Sequence, residues 1–160
     1  MDEWGEKTTN YKTKEDRLME ELERLAKEIE DMKTAYQEKA RSALSDVVFP
    51  DFFKAHPEIK VIYWTQYTPY FNDGEPCVFS VGEVCISDDV EVEDYYESFL
   101  DGKYLWDLKG KDDLKKDFEL VASFIEKNEE LMQELYDDHC VVKIFNETPV
   151  RTEVEEYDHD

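Results

Sequence analysis

"VIYWTQYTPYFNDGEPCVFSVGEVCIS", residues 61–87, decides the fold. Residues 59–68 are rich in β-branched and aromatic side chains, which suit a pleated, half-buried surface. Asn72-Asp73-Gly74 follows, and these three residue types tolerate positive φ, so they predict a turn. Residues 77–86 then read as a return strand. The stretch therefore predicts an antiparallel hairpin with a loop near 70–76. Gly82 lies inside the return strand and marks a bulge or a close backbone approach. Along the first strand Ile59, Val61, Tyr63, Thr65 and Tyr67 share one face, and Ile62, Trp64, Gln66 and Thr68 share the other. Both faces carry large aromatics, so both need cover. Core packing, with Trp64 and Phe79 mainly buried, is the first expectation, and an exposed aromatic interface is the alternative.

Upstream, Thr13 with Asp16 three residues later resembles a capping box. Leu18, Leu22, Leu25, Ile29, Met32 and Tyr36 then recur at alternating spacings of four and three. Neither Gly nor Pro interrupts 14–46. This predicts one long amphipathic helix with a narrow seam. Packing onto its own domain is the simpler outcome for the seam; a homodimer through helix 14–45 is the alternative. Pro50 and Pro57 leave room for only a helical turn between them. A short helix is expected near 92–100, and an irregular segment between Gly102 and Gly110. A second long helix fits 112–137, with Leu114, Phe118, Val121, Ile125, Met132 and Leu135 on one stripe and Asn128 as its polar interruption. Residues 140–145 read as a strand and 146–149 as a turn. Val150, Thr152 and Val154 alternate with Arg151, Glu153 and Glu155, as in a half-exposed strand. The expectation is a single α+β domain spanning 1–160. An antiparallel sheet of about four strands, in two hairpins, is covered by two long amphipathic helices. Residues 1–12 and 156–160 are expected to be flexible.

Nineteen Lys and Arg stand against 42 Asp and Glu among 160 residues, a net charge of −23. Such an excess repels nucleic acid and anionic membrane and favours basic protein partners. No apolar run approaches the roughly 20 residues of a membrane helix. The start, "MDEWGEKTTN", lacks the apolar core of an export signal. Three cysteines are an odd number, which suits free thiols in a reducing cytoplasm.

No motif names a reaction, so no catalytic residue is assigned. His56, His139, His159, Cys77, Cys85 and Cys140 show no metal-ligand spacing, and no metal or other cofactor is expected. On one extended strand Cys77 and Cys85 would stand roughly 26 Å apart. No phosphate-cradling glycine loop occurs. An aromatic sheet face invites single-stranded nucleic acid, but stacking platforms of that kind sit beside a basic groove. Lys54 and Lys60 are the only Lys or Arg between Asp51 and Lys103.

The segment from Trp64 to Val81, "WTQYTPYFNDGEPCVFSV", resembles a stretch found in uncharacterised small proteins of bacteriophages and bacteria. The resemblance implies a phage or bacterial setting, hence a host cytoplasm if phage-encoded, and no known activity. The leading expectation is a non-enzymatic acidic binding protein. By analogy with small acidic phage proteins it would be an inhibitor engaging a basic, nucleic-acid-binding protein. Its carboxylates would come from Asp88, Asp89, Glu91, Glu93 and Asp94 and from Glu153, Glu155 and Glu156. If those runs are strands, alternate side chains stand roughly 7 Å apart, near the spacing of successive phosphates. A second expectation is a small-ligand pocket or enzyme site at loop 67–77, using Trp64, Tyr67, Tyr70, Asn72 and Asp73. A third is a helical oligomerisation module.

Overall fold

The computed structural model describes residues 11–158. The chain divides into two compact units, Met1–Glu38 and Lys39–Asp160. The described part of the first unit is dominated by helix α1 (Lys14–Ala43), which runs on into the second. Its start is the reciprocal capping box expected from the sequence. The Asp16 N–H donates to Thr13 Oγ1 and the Thr13 N–H to Asp16 Oδ2, both at 3.1 Å. The box satisfies two amides that the first turn would leave unpaired. α1 buries none of its residues. Leu18, Leu22, Leu25, Ile29, Met32 and Tyr36, the seam read from the sequence, are exposed along it.

In the second unit the helix widens into a π turn (Leu44–Val48) and continues as α2 (Phe49–Ala55). The sequence allowed only a turn here. The seven-residue helix follows directly on the π turn, with Pro50 near its start. α2 ends at His56, ahead of Pro57, and buries Phe49, Phe52 and Phe53. The buried His56 ring holds Asp117 at 2.7 Å, which ties the end of α2 to α3 (Asp112–Lys127). The predicted second long helix is two helices, α3 and α4 (Glu129–Tyr136). The break is at Asn128, the interruption visible in the sequence. Its backbone leaves the helical region and its Nδ2 donates to the Phe124 carbonyl at 2.7 Å. An Asn side chain competing for main-chain groups is a known helix breaker.

The sheet has seven strands: β1 (Val61–Tyr67), β2 (Ser80–Val81), β3 (Cys85–Ser87), β4 (Phe99–Leu100), β5 (Lys103–Tyr104), β6 (Cys140–Phe145) and β7 (Arg151–Glu156). Its order is β5-β4-β3-β1-β6-β7, with β2 also paired to β1. The two expected hairpins are present, but the four-stranded antiparallel sheet is corrected. Two further short strands exist, and β4 runs parallel to β3 through Ser87 opposite Phe99. The helix expected at 92–100 does not form. Asp89 and Asp94 bond the amides of Glu91 and Tyr96, each two residues on, and so hold turns in place of helix. Asp101 and Gly102 both take positive φ and turn β4 back into β5, a two-residue Asp-Gly hairpin.

The return strand of the first hairpin is bulged. β1 pairs Tyr63 with Cys85 but Gln66 with Val81. Three steps on β1 thus face four on the return, and Gly82 lies in the extra turn. A Cβ at Gly82 would stand 2.6 Å from Thr65 Oγ1 and 3.2 Å from the Thr65 carbonyl oxygen. Only glycine allows that approach.

Both faces of β1 are covered. Ile62 and Trp64 join a large core with Ile86, Val142, Ile144, the phenylalanines of α2 and the stripes of α3 and α4. Val61 and Tyr63 join a smaller cluster with Cys85 and Phe145, closed by Val92 and Tyr95. Phe79, expected in the core, is only half-buried. At the sheet edge, Val154 of β7 is exposed, so the alternation of that strand does not mark a core face. Of the segment 156–160 expected to be flexible, Glu156 closes β7 and the Tyr157 N–H donates to the His139 carbonyl at 2.9 Å. Residues 1–10, 159 and 160 lie outside the described residues.

Cys77, Cys85 and Cys140 are free thiols. Cys77 is exposed. Burial, with nearby carboxylates adding to it, pushes Cys85 and Cys140 up to about 12, so they stay neutral and hidden. A thiol reagent at pH 7 is therefore expected to modify one cysteine in the native protein and three after denaturation without reductant. Rapid native modification of two or three would contradict this packing.

Candidate functional site

The acidic run 88–97 is a strap over the outer face of the sheet, and packing holds it there. Val92 and Tyr95 press on the cluster around Tyr63. The Tyr63 hydroxyl donates to the Glu97 carbonyl at 2.6 Å. Burial, followed by the neighbouring Cys85, Asp94 and Glu97, raises the Tyr63 pKa strongly, so this phenol remains a neutral donor. Lys143 of β6 stands 5.6 Å over the Tyr95 ring. The Asp101 N–H donates to Asp88 Oδ2 at 3.0 Å and fixes the other end.

Anchored in this way, the strap lines a groove of about 420 Å³. Asp88, Asp89, Glu91, Glu93, Asp94 and Glu97 line it, with Tyr63, Val92 and Phe99 as its apolar part. None of the ion pairs among the described residues engages these six. Negative potential is thus concentrated in a concavity, where low-dielectric walls strengthen it. Five of the six were legible as an acidic run. Tyr63 and Glu97 were not assigned to the site; the only signal for them was the alternation that turns Tyr63 away from the Trp64 face. Because the strap is a loop, the phosphate-like strand spacing proposed for 88–94 is corrected.

The second acidic run is placed differently. Glu153, Glu155 and Glu156 lie on β7, which is a strand. Glu153 meets Arg151 at 2.6 Å and Glu155 meets Lys143 at 3.1 Å. Two of the three carboxylates are thus balanced by the sheet's own cations. A hydrogen bond first, and then the Arg151 contact, hold the Glu153 carboxyl below its ordinary pKa.

The residues proposed for a pocket at loop 67–77 are not brought together as one. Trp64 is fully buried and faces the helices. Tyr67 is half-buried with its ring 5.8 Å from that of Tyr157. Tyr70 is exposed and stacks on His139 at 4.8 Å. Asn72 and Asp73 build the expected turn: the Glu75 N–H donates to the Asn72 carbonyl, Asn72 Nδ2 reaches the Pro76 carbonyl, and Asp73 and Gly74 take positive φ. Turn chemistry accounts for both residues.

Beside that loop, Asp138 holds the end of β1. It accepts from the Thr68 N–H at 2.8 Å, the Thr68 hydroxyl at 2.7 Å and the His139 N–H at 2.8 Å. Partial burial works against the carboxylate, but these three donors prevail and lower its pKa. A lowered folded pKa gives stability that is present above the unfolded value and lost as pH falls through the folded one. Asp138→Asn is expected to melt below the parent at pH 7, with the gap narrowing below about pH 4. A gap of equal size at pH 7 and at about pH 3 would contradict the charged role.

Among the described residues, no three His, Cys, Asp or Glu side chains converge as metal ligands, and no helix is long and apolar enough to cross a membrane. The fold and groove define a mixed α+β protein with an acidic concavity. No family model matches the chain, and neither a curated protein nor a solved structure is detectably similar to it.

Proposed function

We propose that this chain is a non-enzymatic acidic binding protein, and that its groove at 88–97 receives a Lys- or Arg-rich segment of a protein partner. The observation that supports this is that six acidic residues, none of them in an ion pair among the described residues, line an anchored groove with a Tyr63 and Phe99 wall. An extended basic side chain offers an apolar stem for that wall and a charged head for the rim. Nucleic-acid-binding proteins carry such segments to neutralise phosphates. An inhibitor of the phage type, acting in a host cytoplasm on a protein of that class, is the particular form this reading takes.

Pull-down from bacterial lysate tests it. The parent chain is compared with a variant carrying D88N, D89N, E93Q and D94N. Capture of a basic protein by the parent at low salt, lost at high salt and lost in the variant, is the expected result. Equal capture by parent and variant would refute the groove as the binding surface.

A further inference from the structure

We infer that residues 18–36 of α1 pair with the same residues of a second copy of this chain as a parallel two-stranded coiled coil. This surface is separate from the acidic groove and stands or falls independently of it.

The seam side chains Leu18, Leu22, Leu25, Ile29, Met32 and Tyr36 are between 45% and 71% exposed. Most helices owe their stability to packing of an apolar face, so a helix of 30 residues with nothing buried is an incomplete element. The spacing identifies what completes it. Alternation of four and three averages 3.5 residues, the period at which a stripe stays in register with an identical supercoiled stripe. Leu18, Leu25 and Met32 then occupy d positions, and Leu22, Ile29 and Tyr36 occupy a positions. Leu at d with β-branched Ile29 at a favours two strands. Lys39 falls on the next d position and ends the seam.

The flanking charges select the orientation. In a parallel pair, each g residue faces the e residue five positions on in the other helix. Glu28 at g would face Lys33 of the second copy, once on each side of the seam. Glu21 would face Ala26 and Lys14 would face Met19, so no like charges oppose each other. In the antiparallel pair that aligns the same layers, g faces g, and Glu28 would oppose Glu28 of the second copy. Charged residues at the outer positions, such as Lys27 and Asp31 in contact at 3.1 Å, keep the remaining surface wet.

Sedimentation of the full chain from about 1 to about 100 μM tests the pairing, since association depends on concentration. The mass is expected to rise from 19.1 kDa toward twice that value. Leu25→Glu is expected to remain at 19.1 kDa while its fluorescence-detected melt, to which buried Trp64 contributes, is unchanged. E28K is expected to weaken the dimer by roughly tenfold through two lost pairs and two new repulsions, and E28K with K33E is expected to restore it. A constant 19.1 kDa, a mass of three copies, or a dimer that survives Leu25→Glu would overturn the inference. So would an E28K effect that K33E fails to rescue, because only the parallel register couples those two positions.

Discussion

Trp64→Ala is expected to destabilise the protein by about 3–5 kcal/mol, the range for deleting a fully buried large aromatic. Trp64 is completely inaccessible to solvent. It sits on the middle strand of the sheet's best-paired region, opposite Val142 of β6. Its ring meets that of Tyr136 edge-on at 5.6 Å. Its Nε1 donates to Gln66 Oε1 at 2.9 Å. Removing it therefore leaves a cavity between sheet and α4 and strips a buried acceptor of its donor. Thermal and urea melts measure the effect. An unchanged midpoint would mean that the residue is not in the core, and the aromatic-interface reading of this strand would regain its place.

Gln66→Leu is the second large loss expected, although it exchanges a polar side chain for an apolar one inside a core. Gln66 is fully buried. Its Oε1 accepts from Trp64, and its Nε2 donates to the carbonyls of Met132 and Asp137 at 3.0 and 2.5 Å. One amide thus joins β1 to both ends of the last turns of α4. Leucine fills similar space but leaves the Trp64 N–H and two carbonyls without this partner. Each buried group left unpaired costs roughly 1–3 kcal/mol, so a total on the order of 3 kcal/mol is expected. Gln66→Glu separates shape from bonding: it keeps the acceptor for Trp64, loses the donor to the carbonyls, and places a charge in the core. It should be worse than Gln66→Leu at pH 7. If Gln66→Leu melts with the parent, the network contributes nothing measurable and the junction rests on apolar packing alone.

The elements that were legible in the sequence are those whose signals are local. The capping box at Thr13 and Asp16, the alternation of β1 and the bulge glycine at 82 each act within a few residues, whereas Asn128 stands out in the sequence only as a polar interruption of one stripe and not as a break between two helices. The Asp101-Gly102 hairpin carries an equally local signal, a dipeptide suited to positive φ at both positions, but its flanking strands of two residues each are too short to show an alternation. The parallel pairing of β3 with β4 had no local signature, since it depends on Val92 and Tyr95 folding the strap back across Tyr63. The acidic run read as a short helix by composition. Its Asp side chains instead capture the amides two residues on, and that competition decided the outcome. The stripe on α1 marks which face is apolar, but periodicity alone does not say what covers that face. The candidate site divides in the same way. The acidic residues are visible as a run, whereas their placement along a groove depends on the anchoring of the strap by Tyr63.

The most direct test of the proposed function is the affinity of a labelled Lys- and Arg-rich peptide for three proteins of known charge. These are the parent, the groove variant D88N/D89N/E93Q/D94N, and a variant of the other run, E153Q/E155Q/E156Q/D158N. Each variant removes four negative charges, so both move from −23 to −19, since −23 + 4 = −19. A difference between them cannot then come from net charge. The account predicts that the parent binds at low salt, that binding weakens steeply as screening shortens toward about 8 Å at physiological ionic strength, and that the groove variant loses at least about tenfold while the β7 variant stays within about twofold of the parent. Equal losses in the two variants, or an affinity indifferent to salt, would contradict a groove built to receive a basic segment.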